Sequence, residues 1–325
     1  MPVEAETLHI PYEVGDAFAQ PFPKEGAEPL AVIWNLNHET PRDMGEGRVL
    51  LHALEVGGVR VFPNHASCWH FDDKYAQHAL LSGIGAPTPE AWIFFSKKRA
   101  LRFLESASFP LVFKLRKGAG SINVKLVRTP EEGRRLVKRM FGRGMAQHPP
   151  VEGLKRGIAR SKKNVEKKDP LPVRARRAAR LWVEKWLRRE RERGYVLFQE
   201  FIPEQTHDTR VTVVGGRAFV YERGVRDGDF RASGSGKNKY LEREGIPLDM
   251  VDVALEISKR MGFQTMAYDF VRRPEDETPV ILEMCHTFVP DYIENCQGYM
   301  TADHEWVEGH FRPERFILED LLADG

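Results

Sequence analysis

The chain has 325 residues, 42% of them apolar and 30% charged, enough for two or three subdomains with a real core. No apolar run approaches the length of a membrane span, and the N-terminus shows no signal-peptide pattern, so neither a membrane protein nor a secreted one is expected. Three cysteines (Cys68, Cys285, Cys296), odd in number and without a CxxC spacing, read as thiols of a reducing cytoplasm, and the spacing of Cys68, His70, Cys285 and His286 does not favour a zinc site. The net charge of +2 hides an uneven distribution: residues 141–194 hold 17 Lys and Arg against 6 Asp and Glu, a local balance of +11, which leaves the remainder at −9. A basic block in an acidic protein suggests an anionic partner or a self-docking arm.

In chain order, residues 1–29 are Pro- and acid-rich and lack a period. Leu30 to Trp34 reads as a strand, about 41–56 as a helix, and Val59 to Phe62 as a second strand, together a small α/β unit. Asp72 is the expected N-cap of the next helix, which carries Lys74, Tyr75, Ala79 and Leu80 and ends at Gly83 to Pro89. Trp92 to Phe94 is a short strand, and Lys97 to Ser106 an amphipathic helix. A buried strand from Pro110 ends on Lys114. It is followed by a small-residue turn over 117–121, a returning strand over 122–127 and a helix opened by Thr129-Pro130-Glu131-Glu132. The basic block reads as a loop to about Pro172. A helix over 173–193 follows, with Ala175, Ala179, Trp182, Val183 and Trp186 on one face.

Tyr195 to Gln199 is a strand running into Glu200-Phe201-Ile202. Strands over 210–214 and 218–222 form a hairpin about Gly215-Gly216, and a basic glycine loop spans 231–239. Gly234-Ser235-Gly236-Lys237 is not a P-loop, because Asn238 stands where Ser or Thr should follow the lysine and Arg231 replaces the first glycine. A helix over 248–261 leads to two apolar strands that carry Asp269 and Glu283, joined by an acidic hairpin connection over 273–278. Two carboxylates this close repel unless a cation neutralises them, and Mg²⁺ bearing a nucleotide's phosphates is the usual answer. A final helix is expected near 314–322.

This order of features, from Asp72 to Cys285, resembles the ATP-grasp superfamily, which includes D-alanine–D-alanine ligases, glutathione synthetases and ribosomal-protein glutamate ligases. The resemblance implies an α/β (α+β) fold with three parts: a short N-terminal α/β subdomain (1–71), a lid at about 108–196, and a C-terminal antiparallel-sheet subdomain from about 197, the ATP-grasp domain spanning 72–325. It also implies roles. Lys74 lies near the phosphates, and Lys114 reaches the α-phosphate and adenine. Gly118, Gly120 and Ser121 close over the β- and γ-phosphates. Glu200, Phe201 and Ile202 form the adenine hinge, and Asp208 holds the ribose hydroxyls. Arg210, Arg231 and Lys237 are catalytic cations for the acyl substrate and acyl phosphate, and Asp269 and Glu283 bind Mg²⁺. Taken alone, Lys114 is a strand-end lysine and the glycine turn an ordinary hairpin.

One departure is Cys285, two residues after Glu283, where relatives commonly have Asn; a thiol is a poor Mg²⁺ ligand. The tail (Tyr292, Gly298-Tyr299, Asp303, Trp306, Glu308-Gly309-His310) resembles ATP-grasp proteins linked to cell-surface polysaccharide or secondary-metabolite pathways, and aromatic packing over the sheet reads equally well. The implied reaction is ATP- and Mg²⁺-dependent ligation of a carboxylate to an amine, or to a thiol, through an acyl phosphate, with release of ADP and phosphate. Small-molecule or peptide substrates, no membrane partner and a homodimer are the expected associations. The alternatives are a regulatory ATP-binding protein without ligation and a nucleic-acid-binding protein using the basic block.

Overall fold

Apolar-rich strands over 207–224 and 265–285, covered on both faces, build the largest sheet of the computed structural model, which describes residues 1–16, 29–37, 43–118, 120–147, 191–226, 231–232 and 236–323. The chain divides into two compact units, residues 1–89 with 202–325, and residues 90–201. Secondary structure is mixed, with antiparallel sheets dominant. Among the described residues no helix is long and apolar enough to cross a membrane.

In the larger unit a parallel pair, β1 (Ala31–Ile33) and β2 (Arg60–Phe62), packs with helix Arg48–Val56. That helix starts later than its periodicity suggests, because a wider turn over Asp43–Gly47 precedes it, and 38–42 lie outside the described residues. The next helix is Lys74–Gly83. Its cap is Asp73, whose carboxylate accepts the amides of Tyr75 and Ala76. Asp72, the expected cap, sits at φ 53°, a left-handed backbone that does not fit the extended N-cap position.

The main sheet follows. In sequence its strands are β9 (His207–Val214), β10 (Arg217–Gly224), β11 (Asn238–Tyr240), β12 (Thr265–Arg272), β13 (Pro279–Cys285), β14 (Gly298–Met300) and β15 (Trp306–Glu308). In space the order is β13-β12-β9-β10-β14-β15, with β11 also on β10. One face carries Val211, Val213, Val220, Met266, Tyr268, Phe270, Ile281 and Met284, packed on helix Leu248–Met261. That helix buries Met250, Val251, Ala254, Leu255 and Ile257 on one stripe, the four larger side chains worth about 1.5–3 kcal/mol apiece, and Gly262 at φ 66° closes it. The tail packs its aromatics on the other face: Tyr292, Tyr299, Phe311 and Phe316 gather around Phe219 and Tyr221. The last helix is Pro313–Ala323.

In the smaller unit β3 (Ala91–Phe94), β8 (Val196–Glu200), β4 (Leu111–Lys114) and β5 (Lys125–Val127) form an antiparallel sheet in that order. Helices Lys97–Ser106 and Pro130–Met140 pack with it around Phe113, Phe198, Leu104 and Met140. Thr129 caps the second helix by accepting the Glu132 amide, and the Glu132 carboxylate accepts the amide of Arg128, the residue before the cap. The returning strand begins at Lys125 rather than 122, because Ser121 and Asn123 are left-handed. A short pair, β6 (Met145–Ala146) with β7 (Arg191–Glu192), closes the basic block, so 191–192 are extended and not the end of a helix. Residues 173–190 of the expected helix over 173–193, with Trp182 and Trp186, lie outside the described residues.

Candidate active site

Strand pairing puts five charged side chains of the larger unit in reach of one another, and Lys74 joins them from a helix. Directly opposed residues share a sheet face. Asp269 on β12 opposes Arg210 on β9, and Arg210 opposes Tyr221 on β10. Asp208, two residues back on β9, opposes Arg223. Glu283 on β13 opposes Asp269. A bulge makes that last pairing possible: Ile281 faces Phe270, Leu282 is extra, and Glu283 then meets Asp269. Without it, Ile281 and Glu283 would share a face. With it, Ile281 stays in the core and Glu283 joins the acids.

Arg210 forks onto Asp269, its Nε donating to Oδ1 at 2.6 Å and its Nη2 to Oδ2 at 2.9 Å. Arg223 forks onto Asp208, both bonds 2.6 Å, and its Nη2 also reaches Asp269 Oδ2 at 2.7 Å. Asp208 and Asp269 are buried. Burial alone would push the Asp269 carboxyl up, but Arg210 and Arg223 overrule it and hold the group well below the usual carboxylate range. Burial, then the neighbouring Asp269, raises Asp208 against the pull of Arg223. Asp208, expected at a ribose, thus has both oxygens engaged by a guanidinium.

Glu283 is held differently. Its Oε1 meets Lys74 Nζ at 3.2 Å, and its side chain is 37% exposed against 8% for Asp269. Lys74 is the first residue of its helix, where the macrodipole disfavours a cation, so its partner is Glu283 rather than its own helix. A partly exposed single-contact pair is worth about 0–1 kcal/mol. Stripping one partner from a buried guanidinium–carboxylate network costs roughly 3–5 kcal/mol. Cys285 shares the face of Glu283; burial pushes its thiol up, and its Sγ lies 3.1 Å from Thr287 Oγ1.

The expected two-carboxylate Mg²⁺ site therefore fits only in its Glu283 half, since the oxygens of Asp269 already accept three guanidinium bonds. Among the described residues no group of three or more His, Cys, Asp or Glu is arranged to hold a metal ion, and that includes Cys68, His70, Cys285 and His286. A cleft of about 400 Å³ lined by Glu55, Arg60, Asn64, Gln264 and Asp320 includes none of the cluster.

The basic loop returns to the cluster's strand end. The Gly224 amide donates to the Lys237 carbonyl at 2.9 Å, and that of Arg226 to the Arg231 carbonyl at 3.2 Å. Lys237 therefore lies beside the residue that follows Arg223. Residues 227–230 and 233–235 are outside the described set.

In the smaller unit Lys114 ends β4 opposite Leu197. The turn after it is pinned at its start by Glu192, which accepts the amides of Arg116 and Lys117, each at 3.2 Å, and is bonded by the Tyr195 hydroxyl. Gly118 at φ 111° and Ser121 at φ 58° give that turn its left-handed corners, and Gly120 (φ 67°) lies between them. The Glu200 amide donates to the Glu90 carbonyl at 2.8 Å, which leaves that amide unavailable to a base edge. Ile202, in the larger unit, packs on Val271 and Val280. Sequence reasoning missed Arg223 and Glu192. Arg223 was within reach: a two-residue turn at Gly215-Gly216 fixes the hairpin register, and Asp208 and Arg223 are equidistant from it.

No known protein-family model matches the chain. It is 28% identical over 145 residues to the carbamoyl phosphate synthase large chain of two Thermus thermophilus strains, covering 42% of this chain. The chain spans only 14% of the length of those relatives. Similar solved structures include a RimK domain ATP-grasp protein from Sphaerobacter thermophilus (19% identity, 74% of this chain and 68% of that one, TM-score 0.44). The ATP-grasp ligase PsnB with minimal precursor, Mg and ADP is similar at 14% identity, 91% and 78% coverage, and TM-score 0.48. The D-alanine–D-alanine ligase of Bacillus anthracis complexed with ATP is similar at 13% identity, 85% and 75% coverage, and TM-score 0.46.

Proposed function

We propose that this protein is an ATP-dependent ligase that joins a carboxylate to an amine through an acyl phosphate and releases ADP and phosphate. The observation that carries this reading is the charged row Glu283–Asp269–Arg210, with Arg223, Asp208 and Lys74, on one face of an antiparallel sheet. Such a row offers fixed cations for phosphates and for an oxyanion, with acids that keep the cations aimed. The partial likeness to a carbamoyl phosphate synthase supports it, since carbamoyl phosphate is itself an acyl phosphate.

A carboxylate is a poor electrophile because oxide is a poor leaving group. Transfer of ATP's γ-phosphoryl to a carboxylate oxygen breaks the β,γ-bridge bond and gives ADP and the acyl phosphate. The amine then attacks the carbonyl carbon, phosphate departs, and the amine loses a proton. The chain's part is to align the reactants and neutralise charge. Arg210 presents a guanidinium held by Asp269, and Arg231 and Lys237 add positive charge from the loop at the end of β10. In the smaller unit Lys114 and the Gly118–Ser121 turn are assigned to the nucleotide.

The test is a screen of amino acids, dipeptides and amino sugars for ADP release from Mg²⁺-ATP. Acceptor-stimulated ADP is the expected result. AMP with pyrophosphate would exclude the acyl-phosphate route. ATP binding that no acceptor ever turns into ADP would favour a regulatory nucleotide-binding protein.

A further inference from the structure

We infer that Asp269 is not a ligand of a divalent ion but the anchor of two arginines, with Glu283 the carboxylate through which a phosphate-borne ion meets this sheet. The inference rests on the ligase reading and goes further, because it divides the two acids that sequence pattern pairs as one metal site.

Both oxygens of Asp269 are spent on guanidinium donors: Oδ1 accepts from Arg210, and Oδ2 meets both Arg210 and Arg223. A divalent cation entering there would sit against two fixed positive charges in a buried setting, where Coulomb repulsion is least screened. Among the described residues Glu283 is paired with Lys74 through one contact, and more than a third of its side chain is open to solvent. Mg²⁺ keeps several waters and needs only one or two protein carboxylates when phosphates supply other oxygens, so Glu283 alone suffices as its protein ligand.

The assignment gives Arg223 a role. It is buried, with a side chain 7% exposed, and it bridges Asp208 and Asp269. It is a positioning residue: it fixes Asp269, and Asp269 fixes the fork of Arg210, whose side chain at 17% exposure is the more open of the two guanidinia.

The experiment is Mn²⁺ binding followed by electron paramagnetic resonance, on the full chain with a saturating non-hydrolysable ATP analogue. Glu283→Gln should weaken Mn²⁺ binding about tenfold or more, while Asp269→Asn stays within about threefold of the parent protein. Equal losses in the two variants would overturn the inference. Asp269→Asn leaves two buried guanidinia without their anchor, so Arg210→Lys is the second variant; lysine cannot form the fork and uncovers one edge of Asp269. Unchanged Mn²⁺ affinity with weaker analogue binding supports the inference. Tighter Mn²⁺ binding in Arg210→Lys would show that the arginine had masked a metal ligand, and would overturn it. A parent protein that binds no Mn²⁺–analogue complex sinks the ligase reading and this inference together, whereas equal losses in a parent that binds it sink this inference alone.

Discussion

Arg223 and Asp208 face each other across the β9–β10 hairpin and share two hydrogen bonds of 2.6 Å, out of contact with most solvent. Because Arg223 also holds Asp269, it is the only guanidinium among the described residues that touches both buried acids of the cluster. Arg223→Met should therefore destabilise the protein by roughly 3–5 kcal/mol, by leaving Asp208 a buried charge without its fork. Asp208→Asn combined with Arg223→Met should recover part of that loss. Urea denaturation of the two variants measures both, and equal midpoints for parent and Arg223→Met would refute the claim.

Glu283 separates catalysis from stability. Its contact with Lys74 is single and partly exposed, so Glu283→Gln should change unfolding free energy by less than about 1 kcal/mol. Under the proposed reaction the same change should cut acceptor-stimulated ADP release by ~100-fold or more. A variant that melts like the parent and turns over like it would remove Glu283 from the site.

The part of this architecture that local rules control was legible in the sequence. The helices Lys97–Ser106 and Leu248–Met261 lie where periodicity and caps put them, and the β9–β10 hairpin follows from Gly215-Gly216. Alternation also places Asp208 and Arg210 on one face of β9, and it puts Cys285 on the face of Glu283. Other features depend on non-local contacts. The bulge at Leu282 is invisible to a period-two reading, yet it decides which face Glu283 takes. The pairing of β6 with β7 joins residues more than forty positions apart, and no local signal separates that extended pair from the end of a basic helix. The guanidinium forks onto Asp208 and Asp269 likewise follow from register between strands, and without them both acids read as ligand-binding groups.

Asp73 offers a test of how Lys74 is delivered. Its carboxylate accepts two amides of the first turn, so Asp73→Ala should cost about 1 kcal/mol of stability. Asp73→Ser, which keeps a capping oxygen, should restore most of it. Thermal or chemical denaturation of the pair distinguishes a capping loss from a general surface effect, since the latter would leave serine no better than alanine.

Two histidines give the larger unit an acid-sensitive core. His70 and His286 are almost fully buried, and none of their ring nitrogens has a hydrogen-bond partner among the described residues. Burial, helped by the charge of Arg48, pushes His70 down to about 4; burial, then the neighbouring His70 and Arg48, pushes His286 down to about 3. In the unfolded chain both titrate near 6.5. Below that pH the unfolded state binds protons that the folded state refuses, so stability falls as pH drops. The contribution is complete above about pH 6.5 and is lost on the way down to about pH 4 for His70 and about pH 3 for His286. Between pH 6.5 and 5 each imidazole should remove roughly 2 kcal/mol. His286→Leu should halve the pH slope contributed by the pair, and His70→Leu with His286→Leu should flatten it. Urea unfolding at pH 7, 6 and 5 reads the slope directly, and a double variant as acid-sensitive as the parent would assign the effect to other groups.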